Sequence, residues 1–341
     1  ICCMRIFISS CFILLTTSVH SADSLQLSID SVIAEAVIHT DSPINQINIF
    51  DQRLKLLDAN TPMDLGYNEK VQPFIDNYLG RNKALIARMQ GLSPFYFSIF
   101  EQMLDKYNLP LELKYLPIVE SALNPKAKSY SGASGLWQFM YLTGKQYGLN
   151  VSSYIDERQD PIKSTEAACI YFTKLYDIFG DWNLVLAAYN GGPGYMQRKI
   201  ASAGTNDFWK LREHLRKETR NYIPTFIAVN YAMNYAEEHQ IIAILPEILF
   251  DKTDTIILKQ QVELKVLIEL ICVNSETINY LNPSFKKQIY PAGAMLRLPT
   301  EIVNDFLLNE KSNYTFIEMV DNKEILIDEE RIVYRVQKGD Y

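Results

Sequence analysis

Leu109-Pro110-Leu111-Glu112-Leu113-Lys114-Tyr115-Leu116-Pro117-Ile118-Val119-Glu120-Ser121, followed by Asn124-Pro125 and by Gly132-Ala133-Ser134-Gly135-Leu136-Trp137-Gln138-Phe139-Met140, is the stretch on which the reading of this chain turns. Pro110 can open a helix, because the N–H it lacks is one that a first turn leaves unpaired anyway. Asn124-Pro125 must end that helix, since the residue before a proline is pushed out of the α region. Glu120 therefore falls near a helix C-terminus, where the dipole disfavours negative charge. Pro117 forces a kink or a restart one turn earlier. A helix end of this kind raises a carboxyl pKa, and lost solvation, were Phe139, Met140 and Tyr189 to pack close to it, would raise it further. A glutamic acid still protonated near neutral pH is a general acid.

Around this stretch the chain reads as helical from Ser93 to about Glu238. Phe95, Phe97, Phe100, Met103 and Leu104 line a stripe, Pro161 directly after Asp160 fits a first helical position behind its cap, and strand-like alternation is absent. Two further clusters rich in polar groups and glycine follow: Ala187-Ala188-Tyr189-Asn190-Gly191-Gly192-Pro193-Gly194 and Glu218-Thr219-Arg220-Asn221-Tyr222-Ile223-Pro224. Upstream, residues 22–90 are broken by Pro43, Pro62 and Pro73 and read as an N-terminal helical extension packed on a domain at 91–245. Asp156, Glu157, Arg158 and Asp160 read as helix capping and surface charge.

Past Pro246 the pattern changes. Thr255-Ile256-Ile257-Leu258, two short helical patterns at 264–272 and 275–281, and Ala294-Met295-Leu296-Arg297-Leu298-Pro299 describe a compact β-α-α-β unit at 251–300. Residues 301–330 read as a linker, and Val333-Tyr334-Arg335-Val336-Gln337-Lys338-Gly339-Asp340 as a strand and turn opening a further module at 331–341.

Taken in order, the Glu120-Ser121 pair, the run 132–140, the run 187–194 and Glu-Thr-Arg-Asn-Tyr at 218–222 resemble the lytic transglycosylases of the soluble-transglycosylase, goose-lysozyme-like superfamily. Within it they are most similar to the membrane-bound lytic transglycosylase D group. The resemblance implies a mainly α fold, a lysozyme-like catalytic domain followed by a small β-α-α-β unit of LysM type. It implies peptidoglycan glycan strands as the partner and cleavage of the β-1,4 bond between N-acetylmuramic acid and N-acetylglucosamine without water. Glu120 is then the catalytic residue. Ser121, Ser129, Gln138 and Met140 take the positions of residues lining the sugar sites. Tyr189 and Asn190 take those beside the reacting ring, Tyr189 hydrogen bonding toward the acid, while Glu218, Arg220 and Tyr222 border the groove and the peptide stem. A structural ion pair is an equal reading of Glu218 and Arg220. A two-carboxylate glycosidase needs a second acid across the scissile bond, and none of the three clusters offers an obvious one.

The unit at 251–300 resembles a degenerate LysM module, a family of glycan-binding domains, with Gln260-Gln261 where the family has a Gly-Asp turn. It is expected to pack on the catalytic domain as a structural extension, leaving carbohydrate affinity to the module opening at Tyr334. Two rival readings keep the same groove: a goose-type muramidase that hydrolyses the bond, and a non-catalytic cell-wall binding protein.

Composition bounds these readings. Length 341 allows about two domains. Hydrophobic residues at 48% and charged residues at 21% are globular values and exclude a disordered or fibrous chain. Lys+Arg 33 against Asp+Glu 40 gives a net charge of -7 with no dense basic cluster, so no nucleic-acid partner is expected. Arg5, the apolar run Ile6 to Leu15 and the small, polar stretch up to Ala22 read as a signal peptide over 1–21, too short to span a bilayer. Met4 reads as its start, which sets Ile1, Cys2 and Cys3 aside. The expected location is exported, periplasmic or cell-envelope associated, with peripheral contact to the cell wall or outer membrane. Cys11 lies inside the apolar run rather than after it, which favours a soluble over a lipid-anchored protein. Cys169 and Cys272 have no disulfide-framework or metal-ligand spacing and read as buried small apolar residues. His39, His214 and His239 are scattered, so neither a metal nor a cofactor is expected.

Overall fold

The computed structural model describes residues 48–246, 253–325 and 327. The signal-peptide reading of 1–21 and the module opening at 331–341 lie outside the described residues.

The helical domain comprises α1 (Ile49–Asp58), α2 (Gln72–Leu79), α3 (Lys83–Lys106), a 3-10 turn (Leu111–Tyr115), α4 (Leu116–Ser121), α5 (Tyr141–Gln146), α6 (Pro161–Phe179), α7 (Trp182–Gly191), α8 (Pro193–Ala203), α9 (Phe208–Leu211) and α10 (Lys217–Asn234). Local chemistry sets several of these boundaries. The Asp160 side chain accepts from the N–H groups of Ile162 and Lys163 ahead of Pro161, which starts α6, and Gly180 ends it in the left-handed region. Asp181 caps α7 through the N–H of Leu184. Helices α7 and α10 are apolar on most faces and bury Trp182–Ala188 and most of Thr219–Met233. A helix that is apolar all round belongs inside, and α3 and α6 close over this pair.

Two expected boundaries move. Helix α3 runs unbroken through position 90, and Leu54 of α1, Val71 just ahead of α2 and Ile75 of α2 share one core with Phe226 and Ile227. The described part of the extension is therefore integral to the helical core, because its apolar residues are spent on the same cluster. Beyond 300, the expected linker is largely helical: α13 (Thr300–Leu308) and α14 (Glu310–Asp321) follow the second unit directly. Val303, Phe306 and Ile317 are buried in that unit's core, which a β-α-α-β layer alone would leave open on one side.

That second unit pairs β1 (Thr253–Ile257) antiparallel with β4 (Met295–Pro299), Thr253 facing Pro299. Between them lie β2 (Val262–Glu263), α11 (Leu264–Ile271), α12 (Ser275–Leu281) and β3 (Ile289–Tyr290), with β2 paired to β3. Asn274 caps α12 through the N–H of Thr277. The core is Ile256, Leu258, Leu264, Leu267, Ile278, Leu296 and Leu298. Cys169 is buried as expected, whereas Cys272 is exposed. It caps α11 at φ 52.

Candidate active site

Tyr115 precedes α4, and Pro117 stands in its first turn, where proline restarts a helix without losing a bond. Glu120 is the penultimate residue. Ala122 and Leu123 then adopt φ 51 and 56, so the chain turns away at once. Ser121 fastens this end: its Oγ lies 2.9 Å from the Pro117 carbonyl and 3.0 Å from that of Leu136, tying α4 to the loop 132–140.

The loop is itself cross-linked. Ser134 and Phe139 exchange backbone hydrogen bonds of 3.0 and 3.1 Å, and Gly135 N–H donates to Ala127 at 3.0 Å. Gly135 has φ +88, and a Cβ there would come within 1.7 Å of the Arg158 carbonyl oxygen, so no other residue fits. Gln138 has φ +49 and donates from Nε2 to the carbonyls of Gly135 at 2.8 Å and Ala127 at 3.3 Å. Trp137 is buried between Phe100 and Phe172, and its Nε1 donates to Thr165 Oγ1 at 2.9 Å. Met140 is left exposed at the end of the loop.

Glu120 is half-buried, and the Tyr222 hydroxyl donates a short hydrogen bond to its Oε1. Burial, opposed by that bond, pushes the carboxyl up to about 7. No neighbouring carboxylate acts on Glu120 among the described residues. Tyr189 stands close enough that burial together with the Glu120 charge raises its own pKa. Its hydroxyl, however, donates to the Trp137 carbonyl at 2.7 Å, its ring stacked on Phe172 at 4.7 Å. The phenol that bonds the acid is therefore Tyr222 and not Tyr189 as expected, because the ring stack aims the Tyr189 hydroxyl at the loop. Tyr222 itself is buried.

The other sequence candidates divide. Thr219 Oγ1 donates to Asn190 Oδ1 at 2.9 Å, joining the ends of the second and third clusters. Ser129 is exposed, and its Oγ accepts the Ala133 N–H at 3.0 Å. Glu218 is exposed in the first turn of α10, and Arg220 lies 4.0 Å from Glu213, an ion-pair contact on the surface. Neither of these two contacts Glu120. Among the described residues no group of three or more His, Cys, Asp and Glu side chains is placed to hold a metal ion.

The charged run 156–160 divides. Asp156 caps a 3-10 turn at Glu157–Gln159 as expected, its side chain accepting from the Arg158 N–H, but Asp156 and Arg158 are not surface charges: 1% and 7% of their surface is exposed. Arg158 Nε and Nη2 donate to the two Asp156 carboxylate oxygens at 2.9 and 2.8 Å, and Nη1 donates to the carbonyls of Gly132 at 2.9 Å and Phe139 at 3.1 Å. Burial opposes the Asp156 charge, but the Arg158 bonds outweigh it and hold the carboxyl below the usual range. Residue type could not reveal this, since a charged dipeptide spacing looks the same on a surface. Asp160 caps α6 as expected, and Glu157 pairs with Lys163 at 2.5 Å.

Both parts of the chain have counterparts among known proteins. Residues 97–212 match the Transglycosylase SLT domain. Residues 252–315 match the LysM-like domain of lytic transglycosylase MltD, so the chain carries both domains and is homologous to lytic transglycosylases of the MltD and soluble types. It is 36% identical over 173 residues to membrane-bound lytic murein transglycosylase D of Escherichia coli, covering 49% of this chain and 38% of that one. Against the soluble lytic murein transglycosylase of the same organism it is 34% identical over 123 residues, 34% of this chain and 19% of the relative. The crystal structure of the 70 kDa soluble lytic transglycosylase of Escherichia coli aligns with a TM-score of 0.35 at 26% identity, over 43% of this chain and 25% of that one. The chain thus covers less than half the length of either of these two curated relatives.

Proposed function

We propose that this protein is a peptidoglycan lytic transglycosylase that cleaves the N-acetylmuramic acid to N-acetylglucosamine β-1,4 bond, with Glu120 as sole acid and base. The observation that carries the reading is Glu120 itself, raised to about 7 and, among the described residues, pressed by no second carboxylate. At neutral pH a large share of it holds a proton to give to the leaving glycosidic oxygen. The resulting carboxylate then takes the proton of the C6 hydroxyl on the same muramic residue. That oxygen bonds C1 as the glycosidic bond breaks, and a 1,6-anhydro ring closes. The hydroxyl belongs to the sugar already bound, so proximity replaces the water that a hydrolase must recruit and orient.

In this reading Tyr222 steadies the charged form of the acid by its hydrogen bond. Tyr189 ties the loop 132–140 to α7, and Ser121 ties it to α4. Gln138, Met140, Ser129 and Asn190 line the sugar sites, while Glu218 and Arg220 lie toward the peptide stems. The helical domain, with α1 and α2 included, is the catalytic unit. An exported, envelope-associated location follows from the substrate and is supported by the membrane-bound and soluble murein transglycosylases among the relatives. The test is mass spectrometry of muropeptides released from purified sacculi by the full chain. Products lacking one water at the muramic end are expected. Products with a free reducing end would make the protein a muramidase, and no release at all would make it a wall-binding protein.

A further inference from the structure

The helical domain and the LysM-like unit meet along a short backbone ladder. Residues 151–156 form a hairpin, Val151 bridging Asp156 and Ser152 N–H donating to Ile155 at 2.8 Å. The segment 284–287 adds to its outer strand: Ile155 bridges Phe285 antiparallel, Asp156 N–H donates to the Ser284 carbonyl at 2.8 Å, and Lys286 N–H donates to that of Tyr154 at 2.7 Å. Lys286 Nζ reaches the Ser152 carbonyl at 2.7 Å, and Lys287 Nζ stands 4.8 Å over the Tyr154 ring. A cleft of ≈ 500 Å³ opens alongside, lined by Phe95, Ile99, Tyr280, Met295 and Arg297 among others. The docking is therefore not close-packed throughout.

What the ladder grips is the residue that organises the loop. Asp156, whose backbone N–H is held by Ser284, fixes the Arg158 guanidinium in a two-point fork. The remaining Arg158 donors hold both ends of the loop, at Gly132 and Phe139, and the loop presents Gln138 and Met140. Gln159 adds a third tie, donating to Ser134 Oγ at 3.0 Å. A guanidinium forked to a buried carboxylate has one low-energy position, so a shift of Asp156 passes to the loop.

We propose that the LysM-like unit is a working part of the active site: segment 284–287 fixes Asp156, and Asp156 through Arg158 positions the loop that carries Gln138. Arg158 and Lys286 are positioning residues, acting through the loop and touching no sugar. The proposal rests on the transglycosylase reading for its activity arm only. In the full chain, Lys286→Ala is expected to speed amide hydrogen exchange across 132–140 while exchange in α7 and α10 stays as in wild type. Arg158→Lys, which keeps the charge and loses the fork, does the same more strongly. With short soluble glycans that need no wall anchoring, Arg158→Lys lowers kcat by about tenfold or more, since small misplacement of a binding group is expensive. Combining Lys286→Ala with Gln138→Ala costs no more than Gln138→Ala alone, because both act through one loop. Unchanged exchange at 132–140 in Lys286→Ala, or an additive double variant, overturns the proposal. The exchange arm remains decisive if wild type releases no anhydro product, an outcome that sinks the transglycosylase reading instead.

Discussion

Glu120 and Asp156 are both withdrawn from solvent, yet their acidities move in opposite directions. Asp156 is held below the carboxylate range, and Glu120 is raised to about 7. Burial penalises charge in both places. At Asp156 a guanidinium supplies two charge-assisted bonds and a full positive charge, while at Glu120 a single phenol supplies one hydrogen bond and no charge. Burial by itself does not make a general acid; burial without a cation does. The two sites sit on opposite supports of one loop, so the same fold builds a fastener with one carboxyl and a proton donor with the other.

The comparison breaks most sharply at the acid. Glu120→Gln should lower turnover by about 10^3-fold or more, the scale of a lost general acid that also serves as base, while the fold and glycan binding persist. Muropeptide release assayed beside circular dichroism checks it, and near-wild-type release would remove Glu120 from the mechanism. Asp156→Asn comes next. It leaves the Arg158 charge buried with half its fork unanswered, which should cost roughly 3–5 kcal/mol of stability, read as the midpoint of urea unfolding. A loss below about 1 kcal/mol would mean the pair behaves as an exposed one.

A third effect has a sign fixed by the acidity itself. The folded Glu120 holds its proton to about 7 and the unfolded one only to the ordinary 4.5. The stability tied to this group is complete below 4.5 and is lost as the pH rises through 7, at most ~3 kcal/mol by linkage. Glu120→Gln should therefore unfold later than wild type at pH 8 and show no such gain at pH 4, by thermal melts at both. Equal behaviour at the two pH values would mean Glu120 is not raised. The smallest effect belongs to Tyr222→Phe. Losing the donor to the carboxylate raises Glu120 further, so the alkaline limb of the rate profile should move upward, by less than about one pH unit for one hydrogen bond of ~1 kcal/mol. A downward shift would contradict the direction of that bond.

Much of the fold and part of the site were legible in the chain. Pro110, Pro117 and Asn124-Pro125 place Glu120 at a helix end through backbone rules alone, and the structure puts it next to last in α4. Asp160-Pro161 caps α6 as written, and the β-α-α-β order after Pro246 follows from the change of apolar pattern. Rotation of side chains about those elements was not legible. Tyr189 and Tyr222 are both phenols near the acid, and which one reaches it depends on Phe172 stacking against one of them. The helical nature of 300–321 was missed because Val303, Phe306 and Ile317 are too few to announce a buried face without the core they cover.

Sequence by itself determined the helix that carries the acid, its end, and the order of the two domains, because caps, prolines and apolar spacing act within a few residues. Tertiary structure alone decided that Asp156 and Arg158 lie inside, that Tyr222 rather than Tyr189 holds Glu120, and that the LysM-like unit grips the hairpin beneath the loop. Those outcomes depend on which groups lose water together and which cation is near. Chain segments far apart in sequence settle both only when they pack.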